Sequence, residues 1–222
     1  MTLFKNDAEL LVPFVNYYKK LGITDFYMFY NGKLAEINKY IEELADVTFI
    51  EWDFPYWVTQ TDGVSKHCAQ TTAINTFLYM SKKFAEHVYF IDLDEYIVSV
   101  PQHRVDYGII NSYWSSDESA DLVNYADVNP YNAKMHYRCA RDKAYINPKH
   151  ILLMGVHYPW CFSATLKSQY FAELKHICNF TEKDRRSNIS DIVLTPRGKT
   201  INEDTFICLF GTNVFKSTFS LN

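Results

Sequence analysis

Three carboxylates fall within four positions at Asp92, Asp94 and Glu95, where the apolar run Tyr89-Phe90-Ile91 ends. A buried strand tolerates such groups only when they are paired or hold a cation. In an extended chain Asp92 and Asp94, two positions apart, point to the same side. Two carboxylates at a strand end offer hard oxygen ligands suited to Mg²⁺ or Mn²⁺. Asp94 is placed to bind such an ion directly. Asp92 reaches the ion through water, or a ribose, and Glu95 orients the loop. The plainer reading is an acidic loop that ends a strand and does nothing more.

His157 closes a second apolar run, Ile151-Leu152-Leu153-Met154-Gly155-Val156. A neutral imidazole is a common further ligand for Mn²⁺, and a structural histidine is the alternative. The other histidines, at 67, 87, 103, 136, 150 and 176, show no ligand spacing. An Asp-x-Asp can also open a phosphatase of the haloacid-dehalogenase type, but there it follows the first strand of the fold. Here three strand–helix units come first, and Glu95-Tyr96 follows.

Those units are what must position the acids. Leu3-Phe4-Lys5 reads as a strand stub. Asp7 reads as the cap of a helix bearing Leu10, Leu11, Phe14, Val15 and Tyr18 on one face, with Pro13 kinking it or marking its true start. Gly22 ends that helix. Phe26 to Tyr30 is a buried strand closed by Asn31-Gly32. Leu34, Ile37, Ile41 and Leu44 keep helical spacing, and Val47 to Ile50 forms the next strand. Ala69, Ala73, Phe77 and Met80 mark a third helix, and Val88 to Ile91 a fourth strand ending at Asp92. This alternation predicts a mostly parallel sheet, whose ligands bind beyond the carboxyl ends of its strands. Asn6, Asn31, Asp53, Asp92 and Asp94 all fall at such ends.

After residue 100 the alternation loosens. Residues 122–126 and 144–146 read as strands, and residues 181–200 as a polar loop. With 222 residues and 48% hydrophobic content, the chain suits one globular domain. The regular alternation covers residues 1–100 and the looser half residues 101–222. The first strand begins almost at Met1, which leaves room for further domains in a longer protein. A net charge of −4 argues against nucleic acid, and no apolar span is long enough for a membrane helix. Five cysteines, an odd number without C-x-x-C spacing, indicate free thiols and a reducing, cytoplasmic setting. That setting gives the sequons at Asn179 and Asn188 little weight. The 17 tyrosines fit an aromatic core, or ring faces lining a sugar cleft. Trp57, Tyr158 and Trp160 are the stacking candidates.

Three blocks, in order, resemble a known family. Lys5-Asn6-Asp7-Ala8-Glu9-Leu10-Leu11, with Tyr18 and Leu21-Gly22-Ile23, is similar to the opening of glycosyltransferase family 92, with Asp7 where Glu is usual. Gln70, Ala73 and Ile74, followed by Phe90-Ile91-Asp92-Leu93-Asp94-Glu95-Tyr96-Ile97, resemble its central block. Lys143 to Pro148, followed by Val156-His157, resembles its third. The likeness runs from about residue 3 to residue 160 and includes related bacterial and viral domains.

The resemblance implies an α/β GT-A fold, the nucleotide-diphospho-sugar transferase type: a Rossmann-like, mostly parallel sheet flanked by helices, with a less regular acceptor side. It implies a hexosyltransferase using a nucleotide sugar, usually UDP-linked, with Mn²⁺ or Mg²⁺, acting on a glycan or glycoprotein acceptor. It reads residues 1–100 as a nucleotide-binding half and residues 101–222 as an acceptor-binding half. It assigns Asp92, Asp94 and His157 to the metal–diphosphate site and Asn6 with Asp7 to the uracil and ribose, with Asn31 and Leu93 as further nucleotide-sugar-binding candidates. Lys143 would face the diphosphate, although an ordinary surface lysine fits equally. A divalent ion bridging both phosphates stabilises the charge that grows on the leaving diphosphate. The favoured outcome is inversion, which needs one carboxylate to deprotonate the acceptor hydroxyl. Asp127 is the first candidate, with Asp142 and Asp204 as alternatives. A non-catalytic nucleotide- or sugar-binding module on the same fold is the rival reading.

Overall fold

The structure, a computed structural model, describes residues 1–56, 58–59, 65–66, 68–97, 106–115, 135–137, 142–162 and 168–176. Strands β1 (Thr2–Phe4), β2 (Tyr27–Tyr30) and β3 (Thr48–Glu51) form a parallel sheet in the order β1-β2-β3. Helix α1 (Leu11–Lys20) links the first pair, and α2 (Asn38–Glu43) the second. The short strands β4 (Val58–Thr59) and β5 (Ser65–Lys66) make a ribbon before α3 (Cys68–Ser81). β6 (Val88–Tyr89) follows.

Strand β2 shows why two layers cover this sheet. Met28 and Tyr30 belong to a core with Leu11, Phe14 and Val15 of α1 and Ile37 beside α2. Phe29, between them, belongs to a second core with Ala73, Ile74, Phe77 and Leu78 of α3. The alternation of a strand thus sends neighbouring side chains to opposite helical layers.

Helix α1 begins at Leu11, after a short 3-10 turn at Ala8–Leu10 that Asp7 precedes. Pro13 sits in its first turn, where a missing N–H costs no intrahelical bond, so it marks the start rather than a kink. Gly22 has φ of 89° and donates to the Lys19 carbonyl, while Ile23 donates to that of Tyr18. This left-handed closure favours glycine because it carries no Cβ.

The expectation of a mostly parallel sheet holds only for this first part. Met1 donates to the Tyr89 carbonyl at 2.9 Å, and Ile91 N–H to that of Met1 at 3.3 Å, so residues 89–91 run beside β1. Beyond them lies a six-stranded sheet of β6, β7 (Glu95–Ile97), β8 (Tyr107–Ser115), β9 (Met135–Tyr137), β10 (Lys143–Ile146) and, after a separate hairpin, β13 (Ser168–His176). Its order is β6-β10-β8-β13-β7, with β9 also on β8. Only β8 and β13 pair in parallel; the other four pairings are antiparallel. A parallel pair needs a long crossover, commonly a helix, and among the described residues no helix of that kind occurs after α3. The hairpin is β11 (Ile151–Met154) and β12 (Pro159–Phe162), and β11 packs on α3. The expected strand at 122–126 and loop at 181–200 lie outside the described residues.

Candidate functional site

The apolar strand does not run straight into its acids. Leu93 and Asp94 form a turn in which Glu95 N–H donates to the Asp92 carbonyl at 3.1 Å. The Glu95 carboxylate closes it from the other side by accepting the Asp92 N–H at 2.8 Å. The expected extended geometry, with Asp92 and Asp94 on one side of a strand, is therefore replaced by a four-residue turn. Leu93 drops its side chain into the core, which anchors the turn. Glu95 orients the loop, as expected.

Two tyrosines of α1 hold the strand that follows. Tyr18 Oη donates to the Glu95 carbonyl at 2.8 Å and accepts from Ile97 N–H at 2.9 Å. Tyr17 Oη donates to the Ile97 carbonyl at 2.8 Å. Burial raises the Tyr18 hydroxyl well above its ordinary value, so it stays a neutral donor. Both rings meet Tyr96, whose centroid lies 5.0 Å from that of Tyr17 and 6.4 Å from that of Tyr18.

Lys143, at the start of β10, reaches the same turn. Its Nζ lies 2.8 Å from Asp92 Oδ2 and 3.2 Å from Glu95 Oε2. The side chains of Lys143 and Glu95 are each 2% exposed, while that of Asp92 is 37% exposed. Burial alone would pull the Lys143 ammonium down. The charges of Asp92 and Glu95, and hydrogen bonds to both, outweigh it and hold the group above the ordinary lysine value. Lys143 is thus a buried, charged partner of the acidic turn, not a surface lysine.

Helix α3 supports the turn from one side and the β11–β12 hairpin from the other. Gln70 Nε2 lies 3.5 Å from Asp92 Oδ1, and Gln70 Oε1 accepts from Tyr56 Oη at 3.0 Å. One helical turn on, Asn75 donates to the carbonyls of Thr71 and Met154, both at 2.8 Å, and accepts the Met154 N–H at 2.9 Å. The hairpin turn closes with Gly155 N–H donating to the Tyr158 carbonyl at 2.9 Å. Gln70, Asp92, Lys143 and Val156 line one small cleft beside β1. The turn holding His157 is therefore carried to the edge of the acidic site.

Residues 1–116, more than half of the 222-residue chain, match the family model of glycosyltransferase family 92. The chain belongs to glycosyltransferase family 92. This family 92 domain is accordingly a sugar-transferring enzyme with a sugar donor and an acceptor. The matched stretch includes α1, α3 and the 92–95 turn, and ends before Lys143 and His157. HddC from Yersinia pseudotuberculosis is similar in structure, with a TM-score of 0.37 and 12% identity over 79% of this chain and 88% of that one. No curated protein matches the sequence.

The remaining candidates of the family 92 domain fall in different places. Asn31 is buried and donates from Nδ2 to the carbonyls of Trp52 and Phe54, both at 2.8 Å, tying the end of β2 to the loop after β3. Asn6 is exposed and Asp7 buried at the end of β1. Asp142 adjoins β10, and its charge adds to the burial that raises Tyr107. Trp160 packs with Leu153 and Cys161, and its Nε1 would clash with a Cβ added at Gly155. Tyr158 is exposed. Cys161 is a free, buried thiol. Trp57, Asp127 and Asp204 lie outside the described residues. Among those residues no three His, Cys, Asp or Glu side chains converge on a common metal position, and no helix is long and apolar enough to cross a membrane.

Sequence reasoning overlooked Asn75 and the tyrosine pair as positioning residues. A buried Asn in the middle of an apolar helix was the available signal, since such a side chain must find partners.

Proposed function

We propose that this domain transfers a hexose from a UDP-linked sugar to a glycan hydroxyl, with inversion and with a divalent cation, Mn²⁺ or Mg²⁺. The observation that carries this reading is the Asp92–Glu95 turn. It lies at the carboxyl edge of the parallel strands, inside the family-matched stretch, with the Asp92 carboxylate partly open to solvent. Ligands of open α/β sheets bind at that edge.

The donor chemistry of Asp92 and Asp94 fits a hard cation. Such an ion needs few protein ligands when phosphates and water complete its shell, so a three-residue protein cluster is not required. Asp92 and Asp94 would hold it, with His157 of the neighbouring hairpin as the third candidate. When bound, the ion neutralises charge on the departing diphosphate. Asn6 and Asp7, at the end of β1, are the candidates for the nucleoside end, and Asn31, at the end of β2, is a further candidate for the nucleotide sugar. The acceptor base is sought among Asp127, Asp142 and Asp204.

Calorimetric titration of UDP with and without Mn²⁺, on wild type and Asp94→Ala, tests the proposal. Metal-dependent binding that the substitution abolishes supports it, and binding indifferent to both overturns it. Release of free sugar from a panel of nucleotide sugars then separates an enzyme from a binding module, since only an enzyme hydrolyses its donor.

A further inference from the structure

We propose that Lys143 is a positioning residue that holds the Asp92 carboxylate in place through a shared pairing with Glu95, rather than a ligand of the donor diphosphate. The inference rests on the nucleotide-sugar reading above and specifies how its acidic turn is kept in shape.

The geometry gives the Lys143 ammonium two carboxylates at once, at 2.8 and 3.2 Å, while the side chain is 2% exposed. Two of its three N–H donors are taken by these carboxylates, and with 2% of the side chain exposed it reaches an anion in the cleft only by moving off Glu95. That would leave a carboxylate of 2% exposure without its cation, and an uncompensated buried charge is strongly unfavourable. Glu95 is in turn committed to the Asp92 N–H at 2.8 Å. Lys143 Nζ, Glu95 Oε2 and Asp92 therefore form a closed circuit: the lysine holds the Asp92 side chain, and the glutamate holds its backbone. Gln70 Nε2, 3.5 Å from Asp92 Oδ1, flanks the opposite oxygen. An oriented carboxylate presents its oxygens without having to be ordered when a cation arrives, and supporting contacts of this kind matter for affinity.

The circuit makes a prediction that a diphosphate ligand does not. In Lys143→Met, Glu95 is stranded and pulls on a turn that no longer has its counter-charge. Adding Glu95→Gln removes the stranded charge, yet the amide oxygen still accepts the Asp92 N–H. The backbone of the turn should then recover although the lysine is gone, while the Asp92 side chain stays without its partner. Lys143→Arg keeps the charge and serves as the conservative variant.

The test measures UDP affinity by calorimetry, with and without Mn²⁺, for wild type, Lys143→Met, Lys143→Arg and Lys143→Met/Glu95→Gln. Lys143→Met is expected to lose roughly 10–100-fold of the Mn²⁺-dependent affinity, the usual scale for a supporting residue. Its metal-free affinity should stay unchanged, Lys143→Arg should retain most of the wild-type value, and the double variant should regain the part of the loss that stems from the stranded Glu95. A double variant as weak as Lys143→Met overturns the positioning role, as does an equal loss without metal, because a lysine touching the diphosphate cannot be replaced by a change at Glu95. Should Lys143→Met fail to fold, the double variant and Lys143→Arg still decide the question. A wild-type protein that binds UDP equally with and without Mn²⁺ overturns the functional reading itself.

Discussion

Asn75 and Met154 exchange two hydrogen bonds, side-chain amide to carbonyl at 2.8 Å and backbone N–H to side-chain oxygen at 2.9 Å. The amide of Asn75 thus imitates a neighbouring strand and fastens β11 to α3. Asn75→Leu keeps the number and branching of the side-chain heavy atoms but strands both Met154 backbone groups. Each buried, unsatisfied group costs about 1–3 kcal/mol. Urea unfolding should show a loss in that range or above, with an unchanged m-value. A loss below about 0.5 kcal/mol would mean that water replaces the amide.

Gly155 is required by its neighbour rather than by its backbone. A Cβ there would clash with Trp160 Nε1. Gly155→Ala should therefore displace the indole and cost about 1–3 kcal/mol, the usual scale of overpacking. Trp160→Phe removes the clashing atom, so the two substitutions should be non-additive, with the alanine much less harmful when Trp160→Phe is already in place. Strict additivity in urea melts would refute the contact.

Tyr30 sets a term in alkaline stability. Burial first, then its hydrogen bond at 2.7 Å to the Glu36 carboxylate, pushes its hydroxyl from 10.0 up to about 12. The folded chain keeps this proton at pH values where the unfolded chain has lost it. The stabilisation is complete below pH 10 and is lost as pH rises toward about 12. Unfolding free energy followed across that window should fall more steeply in wild type than in Tyr30→Phe. Parallel curves would remove Tyr30 from the account.

Tyr18 is the prediction that couples stability to the site. Its hydroxyl serves both the Glu95 carbonyl and the Ile97 N–H, and is buried. Tyr18→Phe should destabilise the chain by about 1–3 kcal/mol for the orphaned groups. It should also weaken metal-dependent UDP binding, because Glu95 closes the acidic turn. Tyr17→Phe leaves the Ile97 carbonyl as its main loss and should affect UDP binding less. Calorimetry on the two variants compares them directly.

The first half of the fold was legible because local rules suffice there. The apolar spacing of α1, its Pro13 start and its Gly22 end, and the alternation of β2 between two helical layers can all be read within a window of a few residues. The second half was not, because antiparallel pairing such as Lys143 against Ile110 joins distant segments that leave no common period. The site divides the same way. Asp92, Asp94 and Glu95 announced themselves as carboxylates after an apolar run, but an alternating strand was the wrong geometry. Glu95 N–H bonds back to the Asp92 carbonyl and turns the chain. That Lys143 is buried against two of these acids depends on a partner 51 positions away, which no local pattern encodes.

The same separation has a kinetic meaning. The bonds that shape the acidic turn span 51 positions from Asp92 to Lys143 and 77 from Tyr18 to Glu95, and the Asn75–Met154 clasp spans 79. Closing such long loops costs chain entropy before any contact repays it, and non-local pairings form slowly. The acidic turn is therefore expected to complete only after Tyr18, Glu95 and Lys143 have met, later than the helices form. Competence to capture a nucleotide would then serve as a stringent clock for the last step of folding, recording completion where helix content records only the beginning.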